Sequence, residues 1–315
     1  MNRLPTPAES NPIDAGWVEA KPFDLEDNLA YGAWRAWKLE GYPRRVTDLR
    51  VPVADLAQLT LEEKSALVAR CIRSNMVIYA TPPDLEPTSD KAMRHSLTQF
   101  ASAFGLGVME KHRSAEDDGI VAIEITNAQS KRGFIPYSNK PLSWHTDGYY
   151  NQYETPIRAM VLHCVRPAHE GGINALLDPD IAYIRLRDKD KALVAAMLHP
   201  QAMTIPESIE EDGSVRPVST GPVFLIDAAG RLTMRYTARM RNIIWRNDED
   251  TQSAVTLLNR LLTHEEEDLI IKYKMQAGEG LLSNNVLHTR TGFENGDCAT
   301  RLLYRVRYRE RIAGT

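Results

Sequence analysis

The sequence predicts an α+β fold, a distorted double-stranded β-helix (jelly roll) with helices packed on one face. Three observations predict it. Short apolar runs with strand-like alternation recur through the chain. Stretches with helical spacing are inserted between those runs in blocks. A His-x-Asp pair and a distant His, His145, Asp147 and His288, fall in or beside such runs.

Taken in order, residues 1–14 are Pro-rich and polar, an irregular arm. Thr60 and Glu63 form a capping box that opens a helix to about Ser74, with Leu67 and Cys71, then Val68 and Ile72, at helical spacing. The run Met76–Ala80 is a strand, stopped by Pro82 and Pro83. Ser89 caps a second helix whose Met93, Leu97, Phe100 and Phe104 form a core stripe ended by Gly105. Strands follow at 120–125 and 158–165, helices at about 179–188, 190–198 and 250–263, then strands near 268–274, 280–287 and 301–308. Nothing in the composition divides the 315 residues. Residues 1–80 read as an N-terminal elaboration, not a separate catalytic domain, and 81–315 as the jelly-roll domain.

A formal net charge of −4 supplies no basic surface of the kind nucleic-acid binding requires. Cys71, Cys164 and Cys298 are scattered without Cys-x-x-Cys spacing, which points to a reducing compartment rather than a disulfide framework. The first residues lack the apolar core of a secretory signal, and no apolar segment is long enough to span a membrane. The expectation is a soluble, cytoplasmic protein whose partner is a small molecule, neither nucleic acid nor membrane, with a homo-oligomer allowed.

The chemistry concentrates in Trp144-His-Thr-Asp-Gly-Tyr-Tyr150 and around His288. Along a strand, residues i and i+2 share a side, so His145 and Asp147 can grip one ion while Thr146 points away. Two imidazoles and one carboxylate on a face of an octahedron leave three positions open, the ligand set of a mononuclear non-haem Fe(II) site. The triplet alone also fits a metal-dependent hydrolase working through metal-bound water, or a non-catalytic jelly-roll binding protein. Thirteen positions after His288, the run Arg301-Leu-Leu-Tyr-Arg305-Val-Arg307-Tyr alternates. Arg301, Leu303, Arg305 and Arg307 line one face, and Leu302, Tyr304, Val306 and Tyr308 the other. Guanidinium groups suit a bidentate hold on a carboxylate. A salt-bridged edge strand is the plainer reading of the same arginines.

Together these runs resemble the Fe(II)/2-oxoglutarate-dependent oxygenases of the taurine dioxygenase (TauD/TfdA-like) family, and are also similar to γ-butyrobetaine hydroxylase. Members carry Trp-His-Thr-Asp-x-x-Tyr-like runs and a distal His followed about a dozen residues later by an Arg, here Arg301. The segment from Pro222 to Tyr236 is similar to the family segment preceding a helix beside the active site. The matches span roughly residues 95–308.

The resemblance implies a dioxygenase with Fe(II) on His145, Asp147 and His288 and with 2-oxoglutarate and O2 as co-substrates. It implies hydroxylation of a small polar, anionic or zwitterionic metabolite, with release of succinate and CO2. Arg301 would anchor the far carboxylate of 2-oxoglutarate, and Arg305 would contact substrate or co-substrate. Gly171-Gly-Ile-Asn174 stands where members often have Gly-Gly-Asp-Thr, so the Asn174 amide is the candidate for the Thr contact. A turn role after two glycines is the alternative. Asp147 fills the position that halide takes in related halogenases, which favours oxygen transfer. Tyr137, Asn139, Tyr149, Tyr150 and Arg235 are substrate-contact candidates. His163, inside an apolar strand, reads as a core histidine, and Trp34 and Trp37 as packing residues.

Overall fold

The computed structural model describes residues 21–82, 84, 89–110, 118–125, 135–209, 213–263, 268–297 and 300–315. The N-terminal arm, His112, His264 and Cys298 lie outside these residues. Two sheets dominate. The larger runs, edge to edge, Arg50–Pro52, Met76–Ala80, Glu279–Ser283, Ala159–Arg166, Leu302–Tyr308, Val121–Ile123. Its first pair is parallel and the remaining neighbours are antiparallel. The smaller runs Ile271–Tyr273, Asn174–Leu177, Leu287–Arg290, Leu142–His145, antiparallel throughout. Met76–Ala80 sits inside the larger sheet, so the N-terminal stretch is woven into the body of the molecule.

Alternation divides the larger sheet between two cores. Val77, Tyr79, Val161, Leu282, Tyr304, Val306 and Tyr308 face helices Leu61–Ser74 and Asp90–Ser102, meeting Leu67, Cys71, Met93, Leu97 and Phe100. Both helices start as their sequences require: Thr60 and Glu63 complete a reciprocal capping box, and the Ser89 hydroxyl accepts from Ala92 N–H. Each fully buried aliphatic or aromatic side chain in this layer contributes about 1.5–3 kcal/mol. The opposite face supplies Met76, Ile78, Met160, Cys164 and Leu281 to a cluster shared with Leu176, Leu177 and Leu287 of the smaller sheet. Helices Pro179–Lys189, Lys191–Leu198 and Glu249–Thr263 join that second cluster. Helices therefore contribute to both cores, where a single helical face was expected. The architecture is α+β.

Helix Asn28–Glu40 closes over the Pro179–Lys189 helix through Trp34 and Tyr31, which contact Tyr183. Beneath it, the wholly buried Lys38 Nζ lies 2.6 Å from both Asp178 Oδ2 and Asp180 Oδ2. Asn75, in the left-handed region (φ 55°) at the end of its helix, donates to the same two carboxylates at 2.8 and 3.0 Å. Elsewhere, the strand expected over 280–287 is two strands in different sheets. The chain turns at Asn284 and Asn285, the latter at φ 53°, and crosses between sheets there. No helix among the described residues is long and apolar enough to cross a membrane.

Candidate functional site

The two histidines meet through strand register. Leu142–His145 and Leu287–Arg290 are neighbours in the smaller sheet, and His145 is the direct partner of His288. Directly opposed residues hold their Cβ atoms about 4.5–5.5 Å apart, and here the imidazole centroids are 4.3 Å apart. His145 Nδ1 donates to the Ser143 carbonyl at 2.8 Å and His288 Nδ1 to the Val286 carbonyl at 2.9 Å. Because a carbonyl only accepts, each ring carries its proton on Nδ1 and presents the Nε2 lone pair.

Asp147 arrives differently from the expectation. The strand ends at His145, and residues 147–150 form a turn, so alternation along a strand does not orient this carboxylate. Asn285 holds it instead. Its Oδ1 accepts the Asp147 N–H at 2.8 Å, and its Nδ2 donates to the Asp147 and Ile157 carbonyls at 2.9 and 2.8 Å. Gly148 completes the turn at φ 68°, where a Cβ would stand 2.5 Å from Ile157.

Ligand atoms of His145, Asp147 and His288 all lie within 4.8 Å of one another. Asp147 is 4% exposed, and its Oδ2 has no hydrogen-bond partner among the described residues. A buried carboxylate oxygen left this way is suited to a cation. Burial pushes the Asp147 carboxyl up, but Arg305, Arg307 and the two imidazoles outweigh it and hold the group well below the usual carboxylate range. Burial, and then His288, pull His145 down to about 3, and burial lowers His288 as well. Neutral imidazoles and an ionised carboxylate are the forms that bind metal. The donor set fits iron.

The Leu302–Tyr308 strand delivers the arginines as its alternation requires. Leu302, Tyr304, Val306 and Tyr308 enter the helix-side core, and Arg305 and Arg307 face the opposite way. Arg305 Nη1 donates to Asp147 Oδ1 at 3.2 Å, while its Nε is buried and unpartnered among the described residues. Arg307 Nη1 donates to the Tyr150 hydroxyl at 3.0 Å and lies 3.7 Å from Asp147 Oδ1, and Glu110 pairs with its other nitrogen.

A second group of cations lies apart from these. Arg301 and Arg290, 5% and 4% exposed, both stand over the Phe293 ring, 5.0 and 4.8 Å from its centroid. Neither has a carboxylate partner among the described residues. Burial pulls the Arg301 guanidinium down to about 10, and burial with the nearby Arg301 charge does the same to Arg290. Asn174 is the cross-strand partner of Arg290, and its buried Nδ2 is unpartnered among the described residues. Gly172 borders this corner at φ 68°, a left-handed conformation that favours glycine. Asn174 and Arg301 thus share a donor-rich corner, and Arg305 belongs to Asp147 instead.

The remaining candidates separate clearly. Tyr149 presents its ring edge-on to His145 at 6.3 Å, and its hydroxyl accepts from Arg239 at 2.9 Å. Tyr150 packs against Tyr149 and meets Arg307. Asn139 is an exposed residue whose carbonyl accepts Phe293 N–H, and Tyr137 is buried in the core. Arg235 is committed elsewhere: it donates to the carbonyls of Tyr149, Met203 and Ser219 and to the Ser219 hydroxyl. His163 is fully buried and stacked on Tyr79, as a core histidine should be. Sequence reasoning missed Asn285, Arg290 and Glu110. Adjacent asparagines interrupting an apolar run were a usable signal for the first. Arg290 lies two positions after His288, and nothing local marks Glu110.

Comparison with known proteins fits this geometry. The model of the taurine catabolism dioxygenase TauD, TfdA family matches residues 56–307, reaching further toward the N terminus than the motifs do. The chain is similar to a uridine-5'-phosphate dioxygenase of Streptomyces sp, 26% identical over 236 residues, 71% of this chain and 82% of that protein. A uridine-5'-phosphate dioxygenase of Amycolatopsis sp is 37% identical over 94 residues, which is 30% of this chain and spans only 33% of that protein. Among solved structures, the non-heme iron oxygenase OrfP in complex with Fe, succinate and (3S)-hydroxy-L-Arg has the same fold. Its TM-score is 0.58, with 15% identity over 80% of this chain and 82% of that one. A family match over most of the chain, around a grouped His-Asp-His set with buried guanidiniums nearby, leaves neither the hydrolase nor the non-catalytic reading in favour: the chain belongs to the TauD, TfdA family and is a non-haem Fe(II)- and 2-oxoglutarate-dependent dioxygenase.

Proposed function

We propose that the protein hydroxylates a nucleoside 5'-monophosphate, with uridine 5'-phosphate the first compound to test. The observation that carries this reading is the pair of separated cationic corners. One, with Arg301, Arg290 and the Asn174 amide, offers donors to a carboxylate some way from the metal ligands. The other, Arg305 beside Asp147, offers an unpartnered buried Nε to a second anion. Two anion-binding corners suit one dicarboxylate co-substrate and one anionic substrate. The sequence likeness to uridine-5'-phosphate dioxygenases favours a nucleotide phosphate as that second anion.

On this reading, the two sheets are the walls of a distorted double-stranded β-helix, and His145, Asp147 and His288 hold Fe(II) between them. When bound, iron and 2-oxoglutarate supply an oxidation that puts one atom of O2 into a substrate C–H bond and the other into succinate, with loss of CO2. Arg301, Arg290 and Asn174 receive the far carboxylate of 2-oxoglutarate. Arg305 orients the substrate anion, and Tyr149 and Tyr150 wall the approach. Arg235 is left out of the substrate set because its donors are filled by carbonyls.

The test is in two steps. Anaerobic addition of Fe(II) and 2-oxoglutarate to the folded protein should produce a visible charge-transfer absorption. Aerobic succinate release should then rise with uridine 5'-phosphate above its level with taurine, asparagine or arginine. Stimulation by one of those three, with none by any nucleotide, would remove the nucleotide reading.

A further inference from the structure

One cavity beside the metal ligands has no part in the roles assigned so far. It encloses about 220 Å³ and is lined by Tyr236, Arg239, Ile243, Trp245, Val255 and Asn259, among others. Resting on the proposed nucleotide reading, we infer that it is the base subsite: it receives the pyrimidine ring while the phosphate lies toward Arg305.

Backbone contacts fix its place. Tyr236 accepts the Thr146 N–H at 3.0 Å, Ala238 donates to the Trp144 carbonyl at 2.8 Å, and Thr237 bridges to His145. The cavity therefore begins directly beside the strand that ends in a metal ligand. Tyr149 spans the gap. Its ring is edge-on to His145, and its hydroxyl is held by Arg239 on the cavity rim. On the other side, Tyr149 packs on Tyr150, whose hydroxyl meets Arg307 near Asp147. Tyr150 and Tyr149 thus run from Arg307, beside Asp147, to the cavity rim at Arg239.

The lining has the chemistry of a flat heteroaromatic site. The Tyr236 ring is fully buried, and the half-buried Trp245 ring lies 6.1 Å from it, tilted by 36°. Ile243 and Val255 add apolar walls. One polar edge faces them: Asn259 Oδ1 accepts from the Tyr236 hydroxyl at 2.9 Å, while its Nδ2 makes no hydrogen bond among the described residues. The partly exposed indole of Trp245, backed by the buried Tyr236 ring, gains from stacking a base, and a carboxamide reads the hydrogen-bonding edge of one. A small amino acid or sulfonate anchored at Arg305 would leave these surfaces unfilled.

The experiment measures binding calorimetrically on full-length protein loaded with Fe(II) and 2-oxoglutarate under anaerobic conditions, using uridine 5'-phosphate and ribose 5-phosphate. The inference expects the nucleotide to bind about tenfold or more tightly than the sugar phosphate. Trp245→Ala should collapse that ratio toward one while leaving ribose 5-phosphate affinity unchanged, and Trp245→Phe should restore most of it. Asn259→Ala, at an exposed position, serves as a second variant if Trp245→Ala does not fold, and should reduce the ratio. Equal affinities in the unmodified protein, no measurable nucleotide binding, or a ratio that survives these variants would each overturn the base subsite. Succinate release keeps the two readings apart. Tight, Trp245-dependent binding without turnover rejects the nucleotide as substrate but keeps the subsite, whereas turnover indifferent to Trp245 and Asn259 does the reverse.

Discussion

Arg290, Arg301, Arg305 and Arg307 are four buried guanidinium groups of unequal standing. Arg307 is held charged against the pull of burial by Tyr150, Asp147 and Glu110. Arg301 has no acid partner among the described residues, so its desolvation is offset only when an anion arrives. Arg301→Ala should therefore raise the KM for 2-oxoglutarate about 10- to 100-fold, the worth of one or two charge-assisted hydrogen bonds, with little change in kcat at saturation. Titrating succinate formation against 2-oxoglutarate checks this; an unchanged KM would transfer the anchor to Arg290. A residue of a different kind is Asp227, in the turn between strands Phe224–Ile226 and Leu232–Met234. Burial pushes its carboxyl up, but the N–H groups of Arg231 and Ala229 and the Arg231 guanidinium hold it below the usual value. A depressed folded-state pKa gives stability that is present above the unfolded value, near 3.8, and lost as pH falls through the folded one. Asp227→Asn should cost about 1 kcal/mol at pH 7. That gap should narrow below about pH 4, as urea midpoints across pH will show.

At the level of elements, the crossing at Asn284 and Asn285 sets the site. Asn285 makes three hydrogen bonds from a left-handed backbone, two of them to the main chain of Asp147. Asn285→Ala removes all three and leaves an alanine in a conformation it disfavours, a loss of about 2–3 kcal/mol. Iron affinity should fall with it, measurable by competition with a chelator, although no ligand has been altered. Sequence reading grouped His145, Asp147 and His288, which the structure does bring together, but misjudged how Asp147 is held. Period-two alternation is a local signal. It located Arg301 to Tyr308 and assigned its two faces, because the whole strand obeys it. The 280–287 run looked like one strand because Leu281, Leu282, Val286 and Leu287 are all apolar and all buried. What splits it is a side chain reaching a residue 138 positions away, which no local pattern records.

For the molecule as a whole, helices were legible where caps and stripes coincide, as at Thr60 with Glu63 and at Ser89. Their distribution over two cores was not, because a helix's partner is chosen by tertiary packing. The helix Asn28–Glu40 shows why: its Lys38 is buried on two aspartates 140 and more residues further along. Burial pushes the lysine toward neutrality, but Asp178 and Asp180 keep it charged. Lys38→Met should destabilise the protein by about 3–5 kcal/mol, since two carboxylates would remain buried without their cation. Urea unfolding measures this, and a loss below 1 kcal/mol would mean that Asn75 alone suffices for them.

The Leu302–Tyr308 strand has one more consequence. Its outward residues are apolar or aromatic and its inward ones include two guanidiniums, so a slip of one position would exchange them. Charge would enter the helix-packed core, and the rings would take the place of the arginines beside Asp147. Core and catalytic centre would fail in the same misfolding event. The strand thus proofreads its own placement: a chain that has closed its hydrophobic layer has, by the same alignment, aimed its arginines.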